Sequence, residues 1–166
     1  MKTIRLKAFL KLLTVLSTAG LVSMAQAAIV VKFEVEGGKL VPKTAGKCTK
    51  QPVRPGCLRA SNGRVQISFK MQDKTCPGGR WQLDHVALGN SENSTGNISA
   101  VAAVDFDADQ VSGRVNPVSS NPNHILIRDY NSAVYDIWYT VYARCSGNNS
   151  VIDSDPRVEN DGTGHH

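Results

Sequence analysis

The sequence predicts an all-β protein, an antiparallel immunoglobulin-like β-sandwich of about six to eight strands with two disulfides. Three observations favour this class: stretches in which apolar and polar residues alternate, four cysteines, and Gly, Pro and Asn between the alternating stretches. Alternation with a period of two is typical of a strand with one buried face, whereas Gly, Pro and Asn favour turns. A small β-barrel fits the same pattern and is the alternative.

The clearest strand is IVVKFEVE at residues 29–36, where the odd-numbered positions are apolar and Gly37-Gly38 follows as a turn. No stretch beyond the first 27 residues has the apolar periodicity of a long amphipathic helix. The other predicted strands are RVQISFKMQ (64–72), WQLDHVALG (81–89), ISAVAAVDF (98–106), RV (114–115), HILIRD (124–129) and SAVYDIWYTVYARC (132–145). The 98–106 stretch is apolar on both sides, so it fits either a central strand or a helix.

The first 27 residues have the pattern of a secretory signal peptide. Four basic residues precede an uncharged apolar run at residues 12–24, and Ala25-Gln26-Ala27 forms an A-x-A cleavage site. The run is shorter than the roughly 20 residues that a membrane helix needs. We therefore expect a single exported domain at residues 28–166, with a flexible tail from about residue 161, no membrane span after cleavage, and a periplasmic or secreted bacterial location.

Signal removal nearly neutralises the chain, because it leaves 15 basic and 14 acidic residues. This balance gives no support for nucleic-acid binding. The charges are nevertheless unevenly distributed, with 11 basic and three acidic residues at 28–80 and four basic and 11 acidic residues at 81–166. Such asymmetry either marks an interaction surface or is neutralised where strands of the two halves become neighbours.

In an exported chain, an even number of cysteines predicts disulfides. Three pairings are possible, and we favour Cys48–Cys57 with Cys76–Cys145. The first pair can close a short Pro- and Gly-containing loop, which leaves the second pair to join distant strands. Zinc and redox sites have closer spacings such as C-x2-C, which this chain lacks.

Two surfaces are candidates for ligand binding. The basic residues around the predicted Cys48–Cys57 loop could contact anions, and Trp138 and Tyr142, on the outward side of the last long strand, could stack on a sugar or pack on a partner. If the sheet is covered on both faces, the two aromatic residues belong to the core instead. The candidate basic residues are Lys47, Lys50, Arg54 and Arg59.

Metal binding is the weaker alternative. His85 follows Asp84, and alternate carboxylates occur in DFDADQ, a pattern that hard cations such as calcium favour. Gln110 stands where a calcium loop has Gly and Asn116 where it has Glu, so the favoured explanation of the acids is a solvated loop or strand end. The candidate ligands are Asp105, Asp107, Asp109, His85 and His124. No nucleophile elbow or glycine-rich phosphate loop is present, so we expect no catalysis and no cofactor.

The segment VIDSDPRVENDGTG at residues 151–164 resembles the closing segment of the DP-EP family of small bacterial β-sandwich proteins, through Asp155-Pro156 and Val158-Glu159-Asn160. The resemblance implies a sandwich of unassigned function without catalytic residues. No Glu-Pro pair occurs in this chain. Because Pro156 fixes φ and lacks an N–H, we expect a final strand to begin just after it or to run along an edge.

The leading hypothesis is an exported, non-enzymatic binding module for an anionic glycan, an envelope component or a protein partner. One alternative is a metal-binding periplasmic protein or a metalloenzyme. Another is an assembly subunit that adds a strand to a neighbouring molecule.

Overall fold

A computed structural model describes residues 27–51, 53–61, 63–72, 74–89, 106, 114–132, 134–154 and 157–160. These residues form strands and turns but no helix, and hence no helix that could cross a membrane. The strands are β1 (Ala27–Glu36), β2 (Lys39–Pro42), β3 (Leu58–Ala60), β4 (Val65–Met71), β5 (Lys74–Cys76), β6 (Gly79–Gly89), β7 (Arg114–Val115), β8 (His124–Asp129), β9 (Asp136–Cys145), β10 (Val151–Ser154) and β11 (Arg157–Asn160).

The strands form two sheets. Sheet A has the order β2-β1-β4-β8, and sheet B has the order β3-β11-β9-β6-β5, with β10 also paired to β9 and β7 to β6. The edges of the two sheets approach each other, because β10 lies beside β2 and β7 beside β8. The architecture is therefore a sandwich that is partly closed like a barrel.

The predicted all-β class with two disulfides is confirmed, but the strand pairing is mixed and not wholly antiparallel. β1 pairs with β4 in parallel, and so do β3 and β11. Parallel neighbours need long connections, and both pairs have other strands between their members in the sequence. The alternation of apolar residues indicates which face of a strand is buried, but it does not indicate whether the strand runs parallel or antiparallel to its neighbour. The described residues form eleven strands, whereas six to eight were predicted for the domain, because short strands such as β3 and β5 have too few residues to show a clear alternation.

The core lies between the two sheets, where the odd-numbered apolar positions of β1 and β4 face those of β9. The rings of Phe33 and Phe69 are 6.2 Å apart, and Phe69 contacts Tyr139 of sheet B at 4.9 Å between ring centroids. All three side chains are completely buried. The face predicted to be buried in the last long strand is therefore the one that packs against sheet A.

β10 and β11 keep one register against β9: Ser154 pairs with Val141, and Arg157 pairs with Trp138. They therefore pair with the same edge of β9. Residues 155–156, which separate β10 from β11 in the sequence, lie outside the described residues. The predicted final strand begins directly after Pro156, as expected, but it is not an edge strand, because β3 covers its other side.

The two disulfides are Cys48–Cys57 and Cys76–Cys145, as predicted. The first closes a local loop, whereas the second joins β5 to the end of β9. Two disulfides are typical of an oxidising location outside the cytoplasm. Residues 1–26 of the predicted signal peptide, residues 98–105 of the predicted strand ISAVAAVDF, the acidic residues Asp105, Asp107 and Asp109, and the tail from residue 161 lie outside the described residues, whereas Ala27 begins β1.

Candidate binding surfaces

The Cys48–Cys57 loop is held on the outer side of sheet B by one carboxylate. Glu159 of β11 is only 5% exposed because the start of the loop covers it. Its Oε2 accepts the backbone N–H of Thr49 at 2.7 Å and the Thr49 hydroxyl at 3.0 Å, and its Oε1 accepts the N–H of Lys50 at 2.9 Å. These bonds fix the conformation of the loop where it leaves Cys48.

Glu159 also pairs with a buried cation. A guanidinium nitrogen of Arg157 lies 2.9 Å from Oε1 of Glu159, and both residues are buried. The same guanidinium donates to the carbonyl of Lys50 and lies 5.6 Å from the centre of the Trp138 ring. Burial alone raises the pKa of the Glu159 carboxyl, but the bonds from Thr49, Lys50 and Arg157 outweigh it, so the pKa lies below the ordinary value.

The far end of the loop is anchored from the core. The buried hydroxyl of Tyr139 donates to the carbonyl of Gly56, and burial holds the pKa of this phenol well above its usual range. The N–H of Gly56 donates to Thr44, and the N–H of Lys47 donates to the carbonyl of Cys57. With the disulfide, these bonds anchor the loop at both ends.

All four predicted loop cations, Lys47, Lys50, Arg54 and Arg59, are exposed. Nζ of Lys50 lies 2.8 Å from Asp136 of β9, and Arg54 is engaged in an interaction within the chain. Lys47 and Arg59 make no ion pair with any residue that the structure describes. Arg59 lies beside Glu159 on the outer face of sheet B, since β3 and β11 pair at these positions.

A second polar cluster lies near the other end of β9. A bulge in β6 between Leu83 and His85 leaves Asp84 unpaired in the ladder. Asp84 accepts from Nε of Arg144 at 2.8 Å through Oδ1, and its Oδ2 lies 2.7 Å from Nδ1 of His85 and 3.6 Å from Arg114. The bulge therefore brings an adjacent carboxylate and imidazole into contact on one face of the sheet.

The Asp84 carboxylate is held in its charged form. The hydrogen bond from Arg144 is the main cause that lowers the pKa of Asp84, and His85 contributes in the same direction. Because an ionised carboxylate only accepts hydrogen bonds, Nδ1 of His85 carries the hydrogen. The imidazole ring stacks on Tyr142 at 4.3 Å, with an angle of 14° between the planes.

The two predicted aromatic binding residues lie on the outward face of β9, but they do not form one platform. Trp138 lies next to Arg157, Tyr142 is stacked on His85, and Thr140 between them is only 2% exposed. Both aromatic side chains are partly buried. Their surroundings favour structural packing over a continuous sugar-stacking surface.

The predicted metal ligands are not gathered by the part of the chain that the structure describes. His85 is on β6 of sheet B, whereas His124 is on β8 of sheet A. No group of three or more His, Cys, Asp or Glu side chains arranged for a metal ion occurs among the described residues. Asp105, Asp107 and Asp109 lie outside them.

Sequence reasoning missed Glu159 and Arg157, although it singled out the Val158-Glu159-Asn160 segment. The signal that could have found them is a pair of opposite charges two residues apart in a strand, separated by an apolar residue that faces the core. Charged side chains on one face of a short strand ordinarily read as solvent-exposed. Their burial depends on the loop closed by Cys48 and Cys57, which covers them from outside the sheet.

No protein-family model matches the sequence, and a search of curated proteins finds no significant match.

Proposed function

We propose that this protein is an exported, non-enzymatic binding module that holds an anionic polysaccharide on the basic loop around Cys48–Cys57. The observation that carries the proposal is the display of Lys47, which directly precedes Cys48, and of Arg59 in β3, two residues after Cys57. Both side chains are exposed and have no ion-pair partner among the described residues, and the loop between them is anchored at both ends. Export is supported by the two disulfides and by the signal-like first 27 residues.

Rigidity matters because exposed ion pairs are weak. A single exposed pair contributes about 0.2–1 kcal/mol, and ordering a flexible loop would cancel such a gain. Here the disulfide, Glu159 and Tyr139 hold the two ends of the loop in place without a ligand. Several weak contacts to one polyanion can then add without a further loss of loop entropy.

The test is affinity for heparin, used as a sulfated polysaccharide probe, with the oxidised mature protein. We expect K47Q/R59Q to elute at lower salt than the wild type, since the affinity falls by about tenfold when two exposed contacts are lost. K39Q/R80Q removes the same charge from exposed positions outside the loop and serves as the matched control. The proposal fails if both variants elute at the same salt concentration.

The contribution of each basic residue near the loop can be resolved further with Lys50, whose ammonium already contacts Asp136. A K50Q variant should lose less affinity than K47Q, because the Lys50 ammonium must be shared between Asp136 and the ligand. Equal losses for K47Q and K50Q would show that the Asp136 contact does not compete with the ligand.

A further inference from the structure

The outer face of sheet A carries a row of basic side chains that crosses the strands. Lys32 of β1 pairs with Lys70 of β4, which pairs with His124 of β8. Lys43, directly after β2, donates its N–H to the carbonyl of Lys32. Lys32, Lys43 and Lys70 are exposed. We name these four residues the lysine row.

The row contains an arrangement that the fold itself does not explain. Lys32 and Lys70 are directly opposite each other on adjacent strands, where like charges are destabilising. Neither makes an ion pair with any residue that the structure describes. Opposed, unpaired charges that lower stability are the kind of local conflict expected at a functional surface.

Nearby carboxylates could have neutralised the pair, but they are already engaged. Glu36 lies 2.6 Å from Nζ of Lys43, and Glu34 lies 3.8 Å from Nζ of Lys74. The hydrogen bond between Glu36 and Lys43 lowers the pKa of the Glu36 carboxyl and raises that of the Lys43 ammonium. The acidic side chains Glu34 and Glu36 therefore pair with Lys43 and Lys74, and no carboxylate among the described residues pairs with Lys32 or Lys70.

We infer that the lysine row is a second binding surface for an anionic polysaccharide, so that one molecule can hold two chains. The inference rests on the proposed function for the class of ligand, but it depends on different residues. Lys50 and Arg59 lie on the sheet B side of the sandwich, whereas Lys32 and Lys70 lie on the outer face of sheet A. A chain bound at one surface thus leaves the other accessible.

The shape of the charged surface favours a chain over a membrane. Neighbouring strands are about 4.8 Å apart, so Lys32, Lys70 and His124 form a line of about 10 Å across three strands. A linear polyanion can follow this line. A flat anionic membrane needs a broad positive surface, whereas Glu34 and Glu36 lie beside Lys32 on β1 and limit the positive surface to a narrow line.

Lysine also fits this ligand chemically. Its ammonium is a flexible point charge without the fixed fork of arginine, so it recognises charge density with little demand on the geometry of the anion. Lysine side chains can therefore pair with either the sulfate or the carboxylate groups of a polysaccharide.

The experiment is isothermal titration of the oxidised mature protein with a short heparin oligosaccharide at low salt. We expect two oligosaccharides per wild-type molecule, and one for K32Q/K70Q. K47Q/R59Q should also bind one, through the lysine row, and K39Q/R80Q should still bind two. Vesicles of anionic phospholipid are the second probe, and we expect them to bind at least about tenfold more weakly than the oligosaccharide.

The outcomes separate the two proposals. One oligosaccharide per wild-type molecule, with no change in K32Q/K70Q, overturns the second surface and leaves the loop. No binding by the wild type overturns both, and tight binding of vesicles in place of the oligosaccharide overturns the polysaccharide assignment. The melting temperature at low salt gives a check on folding: K70Q should melt at or above the wild-type temperature, because the opposed charges are relieved.

Discussion

The two ends of β9 each combine a disulfide with a carboxylate on the outer side of sheet B, but they are built differently. At the Asp136 end, Cys48–Cys57 closes nine positions of chain, and Glu159 accepts hydrogen bonds from two backbone N–H groups and two side chains. At the Cys145 end, the Cys76–Cys145 disulfide spans 69 positions, and Asp84 bonds to side chains. The first end fixes a loop, and the second joins strands that are distant in the sequence.

The difference in solvent exposure has energetic consequences. The side chains of Arg157 and Glu159 are 7% and 6% exposed, whereas that of Arg144 is 43% exposed. If Glu159 is removed, Arg157 remains as a buried charge without its carboxylate. If Asp84 is removed, Arg144 can be hydrated. Similar ion pairs should therefore contribute unequally, and loss of Glu159 should disturb the loop while loss of Asp84 leaves it intact.

The largest effect is expected from the long disulfide. In C76A/C145A, the unfolded chain gains the freedom of a 69-position loop, and the chain-entropy relation gives a loss of about 4.4 kcal/mol in the free energy of unfolding. The same relation gives about 2.7 kcal/mol for C48A/C57A. Urea unfolding of both variants checks the order. If the short disulfide proves the more stabilising, native contacts at the loop outweigh chain entropy.

Replacing Glu159 by Gln should destabilise the protein by about 3 kcal/mol, because Arg157 loses its charged partner inside the protein. The amide NH2 of Gln would also face N–H donors of Thr49 and Lys50. Urea unfolding gives the stability, and heparin elution should shift to lower salt as the loop loosens. Glu36→Gln, at an exposed ion pair, is the control and should leave the unfolding midpoint unchanged. A stable E159Q with an unaltered heparin affinity would show that the disulfide alone orders the loop.

Asp84→Asn should cost less, about 1 kcal/mol, since Arg144 and Arg114 are accessible to water when the carboxylate is lost. The loop is untouched, so the salt concentration at which the protein elutes from heparin should stay at the wild-type value. Near-ultraviolet circular dichroism tests whether the stacking of His85 on Tyr142 depends on the Asp84 contact. A loss as large as that of E159Q would mean that solvent exposure does not separate the two ion pairs.

The sequence predicted the parts of this fold that depend on alternation and cysteine spacing. β1, β4 and β9 bury the faces that their apolar positions indicate, and the two disulfides form as predicted. Parallel pairing of β1 with β4 is invisible to alternation, because it depends on which strands meet in three dimensions. The clamp at Glu159 is invisible for the same reason: its donors come from Thr49 and Lys50, more than 100 residues earlier in the chain.

Whether the basic and acidic halves of the chain neutralise each other is also visible only from the contacts in the structure. Lys50 and Asp136 join the basic and acidic halves, but Lys43 pairs with Glu36, and Arg144 with Asp84, inside their own halves. Pairing within each half leaves part of the asymmetry in place, and Lys32 and Lys70 belong to that part. Interleaving of strands therefore neutralises the halves only locally.

The smallest expected effect is a difference in pH dependence between the two ends of β9. Both carboxyls have a pKa below the ordinary value in the folded state, Glu159 through its hydrogen bonds despite burial, and Asp84 chiefly through Arg144. Their contributions are therefore complete above the unfolded pKa values of about 4, and are lost as pH falls through the folded values. The stability advantage of the wild type over E159Q and over D84N should shrink as the pH is lowered below about 4 in urea unfolding. A wild-type advantage that grows with acidification would show that burial dominates at that carboxyl and raises its pKa.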